Sequence, residues 1–595
     1  MNSIIYIDYP SFFLIIKNFY KIINSKSTII FYTNYNFKFF FLISFFKCIF
    51  FLISKIQFLK ISHKEIIELY PEAFKLVEDN DNFNHSFDGF FQIFNLKINS
   101  QINIFKRNNL YNFCVQLYIK KKINENANEK IEVISFSQMS DIYQNKIRTV
   151  NKSNRIKIFI KLFYLFPLLL ILLIKSLFKY NFVIFQKKNN KKFYSKIIYQ
   201  VSQFGNLNTQ GVSENLITNK KEESLLISPY WKIDNNLFKK FIKRLIINDI
   251  KHVHFSHFKY NFKNIIFLLK IIFRILSLKN INCNSSEINL ILIIFYYFID
   301  EYIQFNNINC KVFVSNDDVS TRHIIRSAYL NKLKINSYGI QHSAGNGLFG
   351  APHIAYINFD LYFVWNDYII NQFSKYWKEL NIVKTGYRRI DNFLKKDFKK
   401  HKSVIQNNLN IHYEFYDINK RNILITLPSF DHSLENFSNF YKNSSEIFIF
   451  FNNYLSKHLS HFNIIIRPKR KITKEFIDYI HNINRALIVC DKFDISTIDL
   501  IYWSDLIISS NVSGVISEAS LLKKKIVSFD YFDLLSHLND IYGNELIANK
   551  ASKLDHILCK FQKNDIINVH WNVLWDEFGF INEHNINTII NKKLL

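Results

Sequence analysis

Glycine and proline are scarce in this chain of 595 residues, 11 and 7 respectively. So little of either excludes a collagen-like or Gly/Pro-rich disordered chain. It also means that where glycines gather, the backbone has a local reason for them. The six cysteines, Cys48, Cys114, Cys283, Cys310, Cys490 and Cys559, stand far apart with no CxxC pair. That spacing carries no zinc signature and fits a reduced, cytoplasmic compartment. Long apolar runs are missing too. Residues 39 to 53 are broken by Lys47, and residues 162 to 174 contain Pro167 between Lys161 and Lys175. Each is shorter than the roughly 20 apolar residues that a spanning helix needs. Two readings stay open for the second run: a buried helix, or a helix lying in the inner leaflet with Lys157, Lys161, Lys175 and Lys179 at the headgroups. The apolar start MNSIIYIDYPSFFLII carries Asp8 and Pro10 and no cationic lead, so no secretory signal is expected.

Acidic residues are also in deficit, 48 against 77 Lys and Arg, a formal charge of +29. Such a balance suits nucleic acid, a membrane surface or an anionic substrate. Lys, Asn, Ile and Phe are enriched together throughout, as an AT-biased coding sequence produces, and the cations are spread along the chain rather than gathered beside aromatics. A nucleic-acid-binding protein is therefore the least favoured of the three, and no nucleic-acid partner is expected. Apolar residues make up 49% of the chain, enough for globular cores, and the length calls for at least two domains.

Periodicity sharpens after Cys310. KVFVS (311–315), INSYGI (335–340), DLYFVW (360–365) and NIVK (381–384) read as strands separated by helical stretches. The basic run KKDFKKHK (395–402) has the composition of a linker. Beyond it the alternation resumes, with strands at 422–427, 462–467, 487–490, 505–509 and 526–529. The expected fold is α/β, two Rossmann-like domains facing a cleft, with helical insertions in the first. The expected boundaries are 1–395 for an N-terminal acceptor domain, 396–420 for the linker and 421–595 for a C-terminal donor domain. Ile4–Ile7 and Thr28–Tyr32 look like an opening β-α-β. Asp79-Asn80-Asp81 imitates a DxD metal motif but follows a helix-like stretch, so no metal site is expected there.

The candidate site residues all fall where such strands end. Tyr338–Gly350, YGIQHSAGNGLFG, holds Gly339, Gly345, Gly347 and Gly350 beside Gln341 and His342. Bare backbone there suits a ligand's close approach, and His342 is the candidate general base, histidine being the side chain whose ordinary pKa lies near neutrality. SSNVSGVISEASLLKKK (509–525) places Ser510, Asn511, Ser513 and Gly514 before a helix expected to carry Glu518 in its first turn. Amide donors at that start suit a phosphate, and Glu518 suits ribose hydroxyls. Arg467 and Lys469 flank a proline-marked strand end, a pairing suited to an anionic leaving group. Arg388 and Asp391, in GYRRID, are a further cleft or acceptor pair.

In order, QHS with its glycines, FDLYFVWNDY, TGYRRIDNF, IIIRPKR and SDLIISSNVSGVISEASLLKKKIVSFD resemble the landmarks of GT-B-fold bacterial surface-polysaccharide transferases. More distantly they are similar to CDP-glycerol glycerophosphotransferases. The resemblance covers roughly residues 311 to 535 and implies a glycosyltransferase using a nucleotide sugar as substrate, with no cofactor, and a glycan or lipid-linked acceptor. It would lie in the cytoplasm, peripheral to the inner face of the membrane. Ser343, Lys469 and Asn511 stand where the resembled pattern carries glycine, histidine and aspartate. Those departures favour a sugar transferase over a CDP-polyol phosphotransferase. A sugar epimerase of the same architecture would need several acidic residues in the cleft. The implied chemistry is metal-independent, since a helix dipole with Arg467 and Lys469 can neutralise the departing phosphate. Asp317, Asp318 and His323 are reserve candidates for the base.

Overall fold

The computed structural model describes residues 3–7, 28–33, 56–60, 63–78, 88–94, 98–125, 130–134, 161–179, 181–183, 193–200, 223–228, 242–243, 245–247, 249–254, 257–278, 285–317, 321–341, 356–365, 367, 370–371, 374, 380–386, 407, 416–427, 461–468, 487–488, 497–509, 514–529, 547–548, 551–563, 586 and 589–590. His342, Gly345, Gly347, Arg388, Asp391, Lys469, Ser510, Asn511 and Ser513 lie outside these residues, as do Asp79–Asp81 and Lys157.

The chain opens with β1 (Ser3–Ile7), β2 (Thr28–Thr33) and β3 (Ile56–Lys60). Helices α1 (His63–Glu78), α2 (Asp88–Ile93) and α3 (Ile98–Glu125) follow, then β4 (Lys130–Ile134). These strands pair in the order β3-β2-β1-β4, all parallel. The expected opening β-α-β strands are thus present, but in a sheet of their own. A single π turn at Lys161–Leu165 leads into α4 (Phe166–Lys179), and β5 (Asn181–Val183) and β6 (Phe193–Tyr194) come next.

The largest sheet begins with β7 (Ile197–Gln200), β8 (Ser224–Ser228) and β9 (His252–His254). After β10 (Lys259–Asn261), the helices α5 (Phe262–Ser277) and α6 (Ser285–Asn307) lead to β11 (Ile308–Asn309) and β12 (Val312–Ser315). Then come α7 (Arg322–Lys332), β13 (Asn336–Ile340), β14 (Leu361–Val364) and β15 (Ile382–Lys384). Its order is β15-β14-β13-β12-β7-β8-β9, parallel throughout. The strands β10 and β5, and β11 and β6, form two short side ribbons.

The third sheet comprises β16 (Arg421–Leu427), β17 (Phe462–Pro468), β18 (Leu487–Ile488), β19 (Leu506–Ser509), β20 (Lys525–Phe529) and β21 (Ile547–Ala548). Helices α8 (Thr497–Trp503), α9 (Gly514–Leu521) and α10 (Ala551–Gln562) accompany it. The order is β18-β17-β16-β19-β20-β21, again parallel. The expected α/β class with two Rossmann-like sheets is observed in the second and third sheets.

Local sequence explains the elements. Strand residues such as Ile423, Leu424, Ile464, Ile465 and Ile507 are buried on both faces, as parallel sheets covered by helices require. Helix α5 starts at a reciprocal box: the Asn264 amide N–H donates to Asn261 Oδ1 at 3.1 Å, and the Asn261 N–H donates to Asn264 Oδ1 at 2.9 Å. Helices α4, α5 and α6 close one core through Leu169, Leu172, Leu173, Ile271, Ile272, Ile275 and Ile299. Leu169 and Leu172 therefore belong to the core. Lys161 is buried with Nζ on the Leu278 carbonyl, and Lys179 pairs with Asp300, so neither serves the headgroup role expected of it. Burial lowers the Lys179 pKa while Asp300 raises it.

Ile586 and Ile590 join the core against Ile197, Tyr199, Val312, Val314 and Phe363. The expected 421–595 division thus yields its last residues to the largest sheet. Gly339, in β13, has a packing reason for being bare: an added Cβ would meet the Phe359 ring at 2.4 to 2.8 Å. That ring lies flat between His323, centroids 5.1 Å apart, and Tyr362, 5.7 Å. Gly339→Ala should lower unfolding stability by about 1 to 3 kcal/mol, the usual overpacking cost. Adding Phe359→Leu should recover part of that loss in urea denaturation, and no recovery would place the strain elsewhere.

Candidate functional site

In a parallel sheet every strand delivers its following loop to the same edge, and a crevice opens where the strand order reverses direction. In the third sheet the chain starts at β16, walks outward through β17 and β18, then crosses back to β19 beside β16 and leaves through β20 and β21. The reversal lies between β16 and β19. Across the strands the inner rows are apolar: Leu424, Ile465, Ile507 and Ile526 align, then Ile425, Ile466, Ile508 and Val527. The next row is Arg467, Thr426, Ser509 and Ser528. All four are polar, they share one face, and they lie across the reversal.

Two apolar rows thus give way to a polar one across four strands, one residue before β16, β17 and β20 end and at the last residue of β19. Thr426, Ser509 and Ser528 are buried, and the Ser528 Oγ has no hydrogen-bond partner among the described residues. Arg467 is half-buried. The sequence reading found Arg467 and missed Thr426 and Ser528, because one hydroxyl at the end of an apolar strand carries no signal until the register places it beside others. Five positions after Ser509, α9 begins at Gly514, so its N-terminal turn, the positive end of the helix dipole, follows the end of β19 closely.

Glu518 departs from expectation. With α9 beginning at Gly514 it falls in the second turn, no acidic residue occupies the first, and it is buried. A part in the packing of α9 fits that burial better than a ribose contact in the open.

The largest sheet reverses between β7 and β12, where Gln200 and Ser315 are register partners. Gln200 is buried, and its Oε1 has no hydrogen-bond partner among the described residues. Beside it a charged network fixes the end of β12. Arg326, fully buried on α7, donates Nε to Glu301 Oε2 at 3.2 Å, Nη1 to Ser315 Oγ at 2.7 Å and Nη2 to Asp317 Oδ2 at 3.3 Å. Glu301, itself fully buried, also pairs with Arg322. Asp317 also donates its backbone N–H to Ser315 Oγ at 3.1 Å, so the residue is held through both its carboxylate and its amide.

Gln341 ends β13 in a structural part rather than the acceptor-facing one expected. It is buried, its Oε1 accepts the Trp365 N–H at 2.9 Å, and its own N–H donates to the Phe363 carbonyl at 3.0 Å. It pins the end of β13 to the end of β14. Of the reserve bases, Asp317 is held by Arg326, His323 is fully buried against Phe359, and Asp318 lies outside the described residues. Gly386 holds φ 75°, a conformation that explains a glycine two residues before Arg388. Among the described residues no cluster of His, Cys, Asp or Glu fits a metal ion. Burial pushes the Cys310 thiol up to about 12, and Cys114 is likewise raised, so both are inert.

No protein-family model matches the chain, and no curated protein matches it. Solved structures show a low likeness. The UDP-GlcNAc 2-epimerase from Neisseria meningitidis bound to UDP-GlcNAc is 12% identical with a TM-score of 0.40, over 68% of this chain and 99% of that one. Anabaena HepE in complex with UDP and glucose is 11% identical with a TM-score of 0.39, over 67% and 99%. The UDP-GlcNAc 2-epimerase from Methanocaldococcus jannaschii is 13% identical with a TM-score of 0.39, over 67% and 100%.

Two outcomes test this geometry. Glu301→Gln leaves two guanidinium groups without their shared carboxylate, one of them fully buried, and should cost about 3 to 5 kcal/mol in denaturant unfolding; Ser315→Ala should cost about 1. Equal effects would show that the ion pair adds nothing beyond a hydrogen bond. His254, at the end of β9, has its pKa lowered by burial and then by His257 and His252. The folded state therefore prefers the neutral ring. As pH falls below the ordinary value of about 6.5, the unfolded chain takes the proton more readily and stability declines. His254→Gln should flatten that slope in melts recorded from neutral to mildly acidic pH.

Proposed function

We propose that the chain is a glycosyltransferase that binds a nucleotide sugar at the reversal between β16 and β19 and transfers the sugar to a surface glycan or lipid-linked acceptor. The observation that carries this is the polar row Arg467–Thr426–Ser509–Ser528 beneath the start of α9. Helix amides and a guanidinium beside hydroxyls form a diphosphate-binding arrangement. Ser510, Asn511, Ser513 and Gly514 would supply further donors to the phosphates, with Lys469 beside Arg467.

In the proposed reaction the acceptor oxygen attacks the anomeric carbon while His342 takes the hydroxyl proton. The bond from sugar to phosphate breaks, and its electron pair leaves with the nucleoside diphosphate. Arg467, Lys469 and the positive end of α9 stabilise the charge that appears there, so the step as drawn calls on no metal and no cofactor. Gly345 and Gly347 would give the acceptor access to His342, and Gln341 contributes by fixing the root of that segment. Arg388 and Asp391 are assigned to the acceptor side.

A thermal-shift series with UDP, CDP, CMP and GDP tests the donor site, because a ligand that binds the folded state raises Tm with concentration. One nucleoside diphosphate should stabilise the protein, and Arg467→Ala should remove most of that shift at the same concentration. Stabilisation by none of the four would refute the site. His342→Ala should reduce turnover about 10² to 10⁴-fold with donor affinity unchanged. Loss of donor affinity with turnover intact at saturation would make His342 a phosphate ligand instead.

A further inference from the structure

Most of the exposed large apolar side chains among the described residues lie on two helices, the 161–179 segment with α4 and its neighbour α5. Both bury one face in the same core, through Leu169, Leu172 and Leu173 on α4 and Leu268, Ile271, Ile272 and Ile275 on α5. They touch each other, with the Phe166 and Phe273 rings 6.3 Å apart, and Lys161 Nζ binds the Leu278 carbonyl, tying the start of one to the end of the other.

Their outward faces carry an apolar stripe as well. Phe163, Ile174 and Phe178 follow one another at helical spacing on the first, and Phe262, Ile266 and Phe273 on the second, each between 40% and 83% exposed. A cationic border runs beside them: Lys175 on α4, and Lys263, Lys270 and Arg274 along one side of α5, all exposed. Neither 161–179 nor 262–277 contains a single Asp or Glu.

We infer that α4 and α5 together form a two-helix docking surface for an anionic lipid bilayer, with the phenylalanines in the acyl boundary and the cations at the headgroups. The charge decides the occupant. An apolar stripe edged by cations and lacking acids suits the interface of a negatively charged leaflet. Length and composition alone would let 161–179 cross a membrane. Spanning would require pulling Leu169, Leu172 and Leu173, at most 4% exposed, out of the core. The helix therefore lies on the bilayer, and α5 extends the apolar surface it presents. The inference rests on these two helices and not on the donor site, so either proposal can fail alone.

Co-sedimentation of the full chain with vesicles is the test, using phosphatidylcholine alone and phosphatidylcholine with phosphatidylglycerol in equal parts. Binding to the mixed vesicles, weakened by salt, is expected. Phe178→Glu with Phe262→Glu should lower that binding by at least about tenfold without moving the thermal transition. Lys263→Gln with Lys270→Gln and Arg274→Gln should lower it about 10²-fold and abolish the preference for the anionic mixture. The neutralised variant decides the matter if the first fails to fold. No binding to the mixed vesicles, or unchanged binding by both variants, would overturn the inference. Resistance to alkaline carbonate extraction would replace it by a spanning helix. Self-association in lipid-free buffer that Phe178→Glu with Phe262→Glu abolishes, without vesicle binding, would make the occupant a second copy.

Discussion

Parallel pairing constrains everything else in this protein. Every pairing in the three sheets runs the same way, so hydrogen bonds alone impose a polarity: one edge receives all the loops that follow strands. The central rows are then apolar on both faces, and polar side chains gather near the strand ends. Arg467, Thr426, Ser509 and Ser528 illustrate this at one reversal, Gln200 and Ser315 at the other.

The buried charge network answers a problem that such an edge creates. The turn after β12 must be rigid where it meets solvent, yet backbone hydrogen bonding ends there. Arg326 reaches up from α7 and takes Ser315 and Asp317 in one grip, while Glu301 on α6 balances its charge. A guanidinium does this well because its donors diverge in a plane, and lysine could not reach three acceptors in fixed directions.

Much of the second half was legible in the sequence because its strands are unbroken apolar runs between polar turns. The expected strand at 462–467 is observed as Phe462–Pro468, and that at 335–340 as Asn336–Ile340. The strands β7 to β9 went unread. Ile, Phe, Lys and Asn are so frequent everywhere that a strand such as IIYQ does not stand out from its surroundings. Site residues failed for a different reason. Gln341 and Glu518 were placed correctly along the chain, but burial and the helix start, which decide what a side chain can touch, are tertiary facts. The same holds for Gly339, whose missing side chain serves Phe359.

The return of Ile586 and Ile590 to the largest sheet bears on the order of synthesis. The strands β7 to β15 have all left the ribosome long before these two isoleucines are made. Until then Tyr199, Val314 and Phe363 present an unfilled seam, and the sheet that forms early is sealed last. A nascent chain stalled short of residue 586 would thus carry a nearly complete domain with its core open along one line, a substrate for chaperones rather than a finished unit.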